Sequence, residues 1–178
     1  NSLRGTIPSK FSVLSNLKSM NLEQNHLSGK IPSELGKLTL LTSMEMTGNN
    51  LSGKIPSELG KLTLLTSIGL SKNLALAGAI PSSFSQLSLL YSLDLSFNSL
   101  NAIPSMLGKL TSLRYLNLSY NNINGAIPSS FDQLKGLYSL DLSNNNLYGT
   151  IPRALGKLST LAEMDLSSNK LNGPMPGV

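Results

Sequence analysis

The sequence has no cysteine and no tryptophan, a single histidine, and only 13% charged residues in 178 positions. Each shortage removes a class of function. Without cysteine there is no disulfide scaffold, no thiolate metal site and no cysteine nucleophile in these residues. The one imidazole, His26, would have to form a Ser-His-Asp-like arrangement with Glu23 and Ser28, which are ordinary exposed turn residues. The carboxylates Glu45, Asp94, Asp141 and Asp165 recur at one position of a repeating pattern, but Gly69 and Asn117 interrupt them, which makes dense cation coordination unfavourable. No glycine-rich phosphate loop is present, and no apolar run is long enough to cross a bilayer. The chain is therefore expected to be non-catalytic, with no cofactor and no metal site. Its 40% hydrophobic content still supports a folded core.

What the sequence does contain is one short unit, copied. Ile-Pro recurs at Ile7-Pro8, Ile31-Pro32, Ile55-Pro56, Ile80-Pro81, Ile103-Pro104, Ile127-Pro128 and Ile151-Pro152, with Met175-Pro176 as a further copy, at spacings of 24, 24, 25, 23, 24, 24 and 24 residues. A unit of that size cannot bury its apolar face alone and must stack on its neighbours, which makes the chain a solenoid.

Aligned on the Ile-Pro step, one copy reads Leu17, Met20, Leu22, Asn25, Leu27, Gly29, Ile31, Pro32, Leu35 and Leu38. Another reads Leu113, Leu116, Leu118, Asn121, Ile123, Gly125, Ile127, Pro128, Phe131 and Leu134. The pattern L-x-x-L-x-L-x-x-N-x-L-x-G-x-I-P resembles the leucine-rich repeat family, and its G-x-I-P element resembles the 24-residue class typical of plant receptor ectodomains. Asn25, Asn49, Asn73, Asn98, Asn121, Asn145 and Asn169 all fall in register, so the resemblance covers the whole chain. It implies an α/β right-handed solenoid of about seven repeats, with a parallel sheet on the concave side and short 3₁₀, helical or coil segments on the convex side. Residues 1–178 are expected to form one such solenoid, part of a longer array whose caps, usually bearing paired cysteines in this class, are not visible.

The repeat can also be read from its residues alone. Alternation in Leu116-Asn117-Leu118 points two side chains inward and one outward, as in a half-buried strand. The Asn marks the turn off the sheet, where a buried amide satisfies backbone groups left unpaired. Gly29 and its equivalents allow a tight bend, and proline fixes the outgoing direction. Two consecutive repeats break the period: Asn73-Leu74-Ala75-Leu76-Ala77-Gly78 has one extra residue, and Asn98-Ser99-Leu100-Asn101-Ala102-Ile103 lacks one along with its glycine. A bulge followed by a tightened turn is expected there. Leu27 to Ser43 is repeated without change as Leu51 to Ser67, and segments copied whole read as spacers.

The net charge is +5, yet the outward strand positions carry Glu23, Glu45, Asp94, Asp141, Glu163 and Asp165 against Lys18, Lys72 and Arg114. The sheet face is mildly acidic and is expected to refuse nucleic acid and favour a basic or neutral partner. The excess of lysine lies elsewhere, with Lys37, Lys61, Lys109 and Lys157 recurring at one convex position as a solvated row. The early repeats present Thr42, Ser43, Thr47, Gly48, Thr66, Ser67, Gly69 and Ser71. Three later ones change character: Tyr91, Arg114 and Tyr138 share one position, Phe97 and Tyr120 another, and Tyr115 is expected between the two rows. Aromatics and arginine dominate interface hot spots.

Tyr91, Asp94, Phe97, Arg114, Tyr115, Tyr120, Tyr138 and Asp141 are thus the candidate contact residues for a protein or peptide ligand. Asn50-Leu51-Ser52 and Asn117-Leu118-Ser119 are glycosylation sequons, meaningful only in a secreted chain. Three readings follow: a receptor-type recognition module at the cell surface or outside the cell, which the resemblance implies and whose membrane association would come only from a segment outside this sequence; a surface-adsorbing protein for ice or cell-wall polysaccharide; and an intracellular scaffold. Thr42, Thr47 and Thr66 are too few and too interrupted for a regular ice-matching array.

Overall fold

A computed structural model describes residues 1–175; Pro176, half of the last Met-Pro copy, lies outside them. Seven three-residue strands, Ser19–Asn21, Ser43–Glu45, Ser67–Gly69, Ser92–Asp94, Tyr115–Asn117, Ser139–Asp141 and Glu163–Asp165, form one parallel sheet in sequence order. Their register never slips: Ser19 pairs with Ser43, Ser43 with Ser67, Ser67 with Ser92, Ser92 with Tyr115, Tyr115 with Ser139 and Ser139 with Glu163. A one-residue slip would turn the buried centre of each strand to solvent, so the pattern itself locks the pairing. In the first six strands those centres are Met20, Met44, Ile68, Leu93, Leu116 and Leu140, each at most 5% exposed, while Met164 of the last strand is 46% exposed.

Behind the sheet each coil runs through its Ile-Pro step into a five-residue 3₁₀ helix: Ser9–Val13, Ser33–Lys37, Ser57–Lys61, Ser82–Gln86, Ser105–Lys109, Ser129–Gln133 and Arg153–Lys157. The preceding proline, at φ near −65° and ψ near 130° for Pro32 and Pro56, is extended and directs the chain into the helix. Backbone bonds such as Leu38 N–H to the Leu35 carbonyl, 3.0 Å, close each segment after little more than a turn. No α-helix occurs among the described residues, and none of their helices is long and apolar enough to cross a membrane. Leu35, Leu59, Phe84, Leu107 and Phe131 point from these segments into one continuous core, fully buried. Each such side chain is worth about 1.5–3 kcal/mol relative to exposure.

The asparagine ladder is as the repeat requires. Asn121 is 7% exposed; its amide donates to the carbonyls of Leu95, Leu118 and Ser119 at 2.9, 3.1 and 3.2 Å and its Oδ1 accepts Leu100 N–H at 2.9 Å. One side chain thereby joins two coils.

A second parallel ladder runs beside the first, built from the segments around G-x-I-P. Arg4–Thr6, His26–Lys30, Asn50–Lys54, Ala75–Ala79 and Ser99–Ala102 pair in order, and Asn124–Gly125, Asn146–Gly149 and Lys170–Leu171 form a separate run. The ladder breaks where the period breaks. Between Ala75–Ala79 and Ser99–Ala102 the register shifts at Gly78/Ala79, where Gly78 faces Leu100 and Ala79 faces Ala102; the unpaired residue is Asn101, so the bulge falls in the shortened coil, where a tightened turn was expected, and the next coil no longer pairs. In the lengthened coil Asn98 Oδ1 accepts Asn73 N–H at 3.2 Å, while Leu76 N–H turns to the Asn73 carbonyl at 2.8 Å; the loop swells and Leu74 is left 73% exposed.

Candidate functional site

The sheet face carries outward side chains in rows, one residue per coil, spaced by the strand separation of about 4.8 Å. Tyr91, Tyr115 and Tyr138 meet along one margin of the sheet: ring centroids lie 5.4 Å apart for Tyr91 and Tyr115 and 5.8 Å for Tyr115 and Tyr138, tilted at 58° and 57°. All three are exposed, at 49, 41 and 44%. At the other margin Phe97 and Tyr120 stack at 4.2 Å and 9°. Both residues sit at left-handed φ, 52°, immediately before the ladder asparagine. Equivalent positions hold Gln24, Gly48, Lys72, Asn144 and Ser168, all with positive φ as well. The turn demands that conformation, which is unfavourable for an L residue.

Tyr115 was expected between the two aromatic rows, but its ring joins the other tyrosines instead. The reason is Arg114. The backbone of Arg114 is in register with Tyr91 and Tyr138, receiving the Tyr138 N–H at 2.8 Å, yet its guanidinium lies over Gly136 of the next coil, where a Cβ would collide with Nη1. Nη1 is buried without a hydrogen-bond partner, so Arg114 does not stand clear of the surface with the tyrosines. The same device recurs at two other glycines, Gly48 under the Gln24 side chain and Gly69 under the Glu45 carboxylate.

Between the aromatic margins run Asp94, Asn117 and Asp141. Each folds one side-chain oxygen onto the backbone two residues on: Asp94 accepts Ser96 N–H at 3.0 Å, Asn117 accepts Ser119 N–H at 3.0 Å, and Asp141 accepts Ser143 N–H at 2.9 Å. Asp165 repeats the contact at 2.9 Å, and the Ser167 hydroxyl together with that N–H holds its carboxyl below the usual range. Glu45 is tied to the hydroxyls of Ser43 and Ser67. The carboxylates are thus fixed in direction and separated, and no cluster of three or more metal-ligating side chains occurs among the described residues. The neighbouring Tyr91 hydroxyl keeps the Tyr115 phenol protonated above its ordinary range. The margins and the acidic row together make a face that presents apolar rings on both sides of fixed negative charge.

Several placements differ from the outward pattern read along the chain. Ser71 is 3% exposed, as are its equivalents Ser96 and Ser143, so that row faces inward. Conversely Leu40, Leu64 and Leu89, which look like core leucines, are 41, 39 and 48% exposed. The position could have been flagged, because other coils place Asn16, Ser112, Gly136 and Thr160 there. Asn50 is exposed; Asn117 is half-buried, with its sequon serine hydroxyl bonded back to Oδ1 at 2.7 Å.

Leucine-rich repeat family models match residues 63–123 and 120–171, and a related one matches 16–38 and 40–62. No curated protein matches the sequence. Among solved structures, the chain is similar to the ectodomain of the Arabidopsis thaliana membrane receptor kinase GASSHO1/SCHENGEN3, in complex with CASPARIAN STRIP INTEGRITY FACTOR 2. The identity is 40%, the TM-score 0.93, and the match covers 96% of this chain and 20% of that one. The ectodomain of the Arabidopsis receptor kinase HAESA, with an IDA peptide hormone, matches at 35% identity and TM-score 0.85 over 99% of this chain and 34% of that one. A plant ice-binding protein matches at 28% identity and TM-score 0.70, over 98% of this chain and 72% of that one. The chain therefore spans about a fifth and about a third of the length of the two receptor ectodomains.

Proposed function

Because this chain belongs to the leucine-rich repeat family, we propose that it is a non-catalytic recognition module that holds a protein or peptide against its seven-stranded sheet, outside the cell or at its surface. The observation that carries this reading is the gathering of Tyr91, Phe97, Tyr115, Tyr120 and Tyr138 on three consecutive coils, around Asp94 and Asp141. Large rings with a polar handle bury much area at little entropic cost, and the fixed carboxylates select a basic partner. Of the receptor ectodomains it resembles, one is seen with a peptide hormone and another with CASPARIAN STRIP INTEGRITY FACTOR 2, which supports the class of partner.

The test begins with peptides selected from a random displayed library on the immobilised chain, then measured by calorimetry. Tyr115→Ala or Phe97→Ala is expected to weaken binding by about 2 kcal/mol, some thirtyfold, with Tm unchanged. Equal affinity in both variants would move the contact off this face.

A second reading, adsorption to a regular solid such as ice, is supported by the likeness to a plant ice-binding protein and by the small residues Ser28, Ser52 and Ala77 that recur at one position of the side ladder, though Arg4, Lys30 and Lys54 stand beside them. The register shift at Gly78/Ala79 interrupts that array. Thermal hysteresis in freezing solutions that survives Tyr115→Ala would favour this reading over the first.

A further inference from the structure

The side chain of the extra residue adds nothing to the core, although its carbonyl accepts the Ser99 hydroxyl of the next coil at 2.7 Å. Insertion of Leu74 diverts a ladder bond from Leu76 N–H and leaves an aliphatic side chain 73% in water. What the insertion creates is a recess of about 350 Å³ next to the Phe97–Tyr120 stack, lined by Asn49, Asn50, Lys72, Leu74, Ala75 and Phe97. Phe97 forms its wall from a left-handed backbone position where the other coils, Tyr120 apart, place glycine or a polar residue. Lys72 is the one charged residue in the lining. The adjoining sheet face, by contrast, carries Asp94 and Asp141.

The geometry points to a specific occupant: a large apolar side chain standing beside a carboxylate, on the same peptide whose basic residues lie over Asp94 and Asp141. This rests on the recognition reading above and adds a direction to it. Leu74 and Phe97 supply two apolar walls, and the Lys72 ammonium supplies the one attractive charge at the recess. A basic residue would be repelled there, and an apolar residue with no acid beside it would leave that charge unused. The carboxylate end of the ligand thus faces the coil of Lys72, and its basic part faces the coils of Asp94 and Asp141. The acid can be the chain terminus or an acidic side chain.

The probes are N-acetyl-leucine, which offers a terminal carboxylate, N-acetyl-leucyl-glutamamide, which offers a side-chain one, and N-acetyl-leucinamide, which has none. They are titrated into ¹⁵N-labelled protein made without N-glycans, since Asn50 lines the recess. At least one acid is expected to shift the amides of Leu74, Ala75 and Phe97 and to bind about threefold tighter than the amide, the range of one exposed charge pair. Whichever acid binds tighter identifies the carboxylate source. Lys72→Gln is expected to erase the preference for acid, and Leu74→Ser, at an exposed position that tolerates the change, to weaken all three probes. Absence of shifts at these amides, equal binding of acids and amide, or an acid preference that survives Lys72→Gln would each overturn the assignment. Tyr115→Ala lies at the opposite margin and leaves the probes unaffected, so a failed recess and a failed recognition face give different results.

Discussion

At the scale of single residues, two kinds of side chain reach from one coil to the next, and the sequence disclosed one of them. The asparagines are legible because they keep their register against any neighbour, and an amide at a turn has backbone groups to satisfy. Asn121 ties two coils with four hydrogen bonds. Its replacement by alanine is expected to cost about 1–3 kcal/mol in chemical denaturation, because the buried backbone groups it serves lose their partner. Arg114 behaves oppositely. Its type suggested an exposed hot spot, but its path depends on whether the next coil offers a side chain or a glycine, which a per-repeat alignment does not weigh. Because Nη1 is buried and unpartnered, Arg114→Met is expected to be neutral or to stabilise by about 1 kcal/mol, measured the same way. A loss of stability would mean that the guanidinium is satisfied after all.

Among the elements, the 3₁₀ segments set the spacing of the stack. Gly36, Gly60 and Gly108 are packed so closely that an added Cβ would collide with the backbone carbonyls of Glu58, Ser83 and Ser130 in the next coil. Gly156, the equivalent in the last segment, has nothing within 4 Å. Gly108→Ala is therefore expected to lower stability by about 1–3 kcal/mol through overpacking, while Gly156→Ala stays within about 0.5 kcal/mol, both read from denaturant midpoints. The seven strands and the short helices followed from the alternation of leucines and the Gly-Lys-Leu spacing. The side ladder was not legible, since Leu-x-Gly reads locally as a bend and shows itself as a strand only when the neighbouring coil is there to pair with it.

For the molecule as a whole, stability is a sum over coils and their interfaces. Leu27–Asn50, 24 residues, can be removed so that His26 runs directly into Leu51 with the register intact, because Leu27 to Ser43 and Leu51 to Ser67 are identical. The shortened protein is expected to fold with the same circular dichroism per residue, to lose a few degrees of Tm at about 2–4 °C per kcal/mol, and to keep the tyrosine cluster's peptide affinity. Cooperative collapse of the whole stack on removing that coil would show that this copy is more than a spacer. The fold-level reading survived contact with the structure because a periodic sequence repeats its evidence in every coil. The candidate site did so less fully, since it depends on side-chain courses that differ from coil to coil.

The interrupted side ladder has a mechanical meaning. One rail of the stack, the seven-stranded sheet, is continuous, while the other stops at Ser99–Ala102 and resumes at Asn124–Gly125. Torque or tension applied to the two ends is shared by both rails except at that joint, where only the sheet, the packed 3₁₀ segments and the lone Asn122 N–H to Leu100 carbonyl bond bridge the two coils, so bending is expected to concentrate there. Tyr91, Tyr115 and Tyr138 straddle the joint on the continuous rail, and a partner laid across all three would act as a splint.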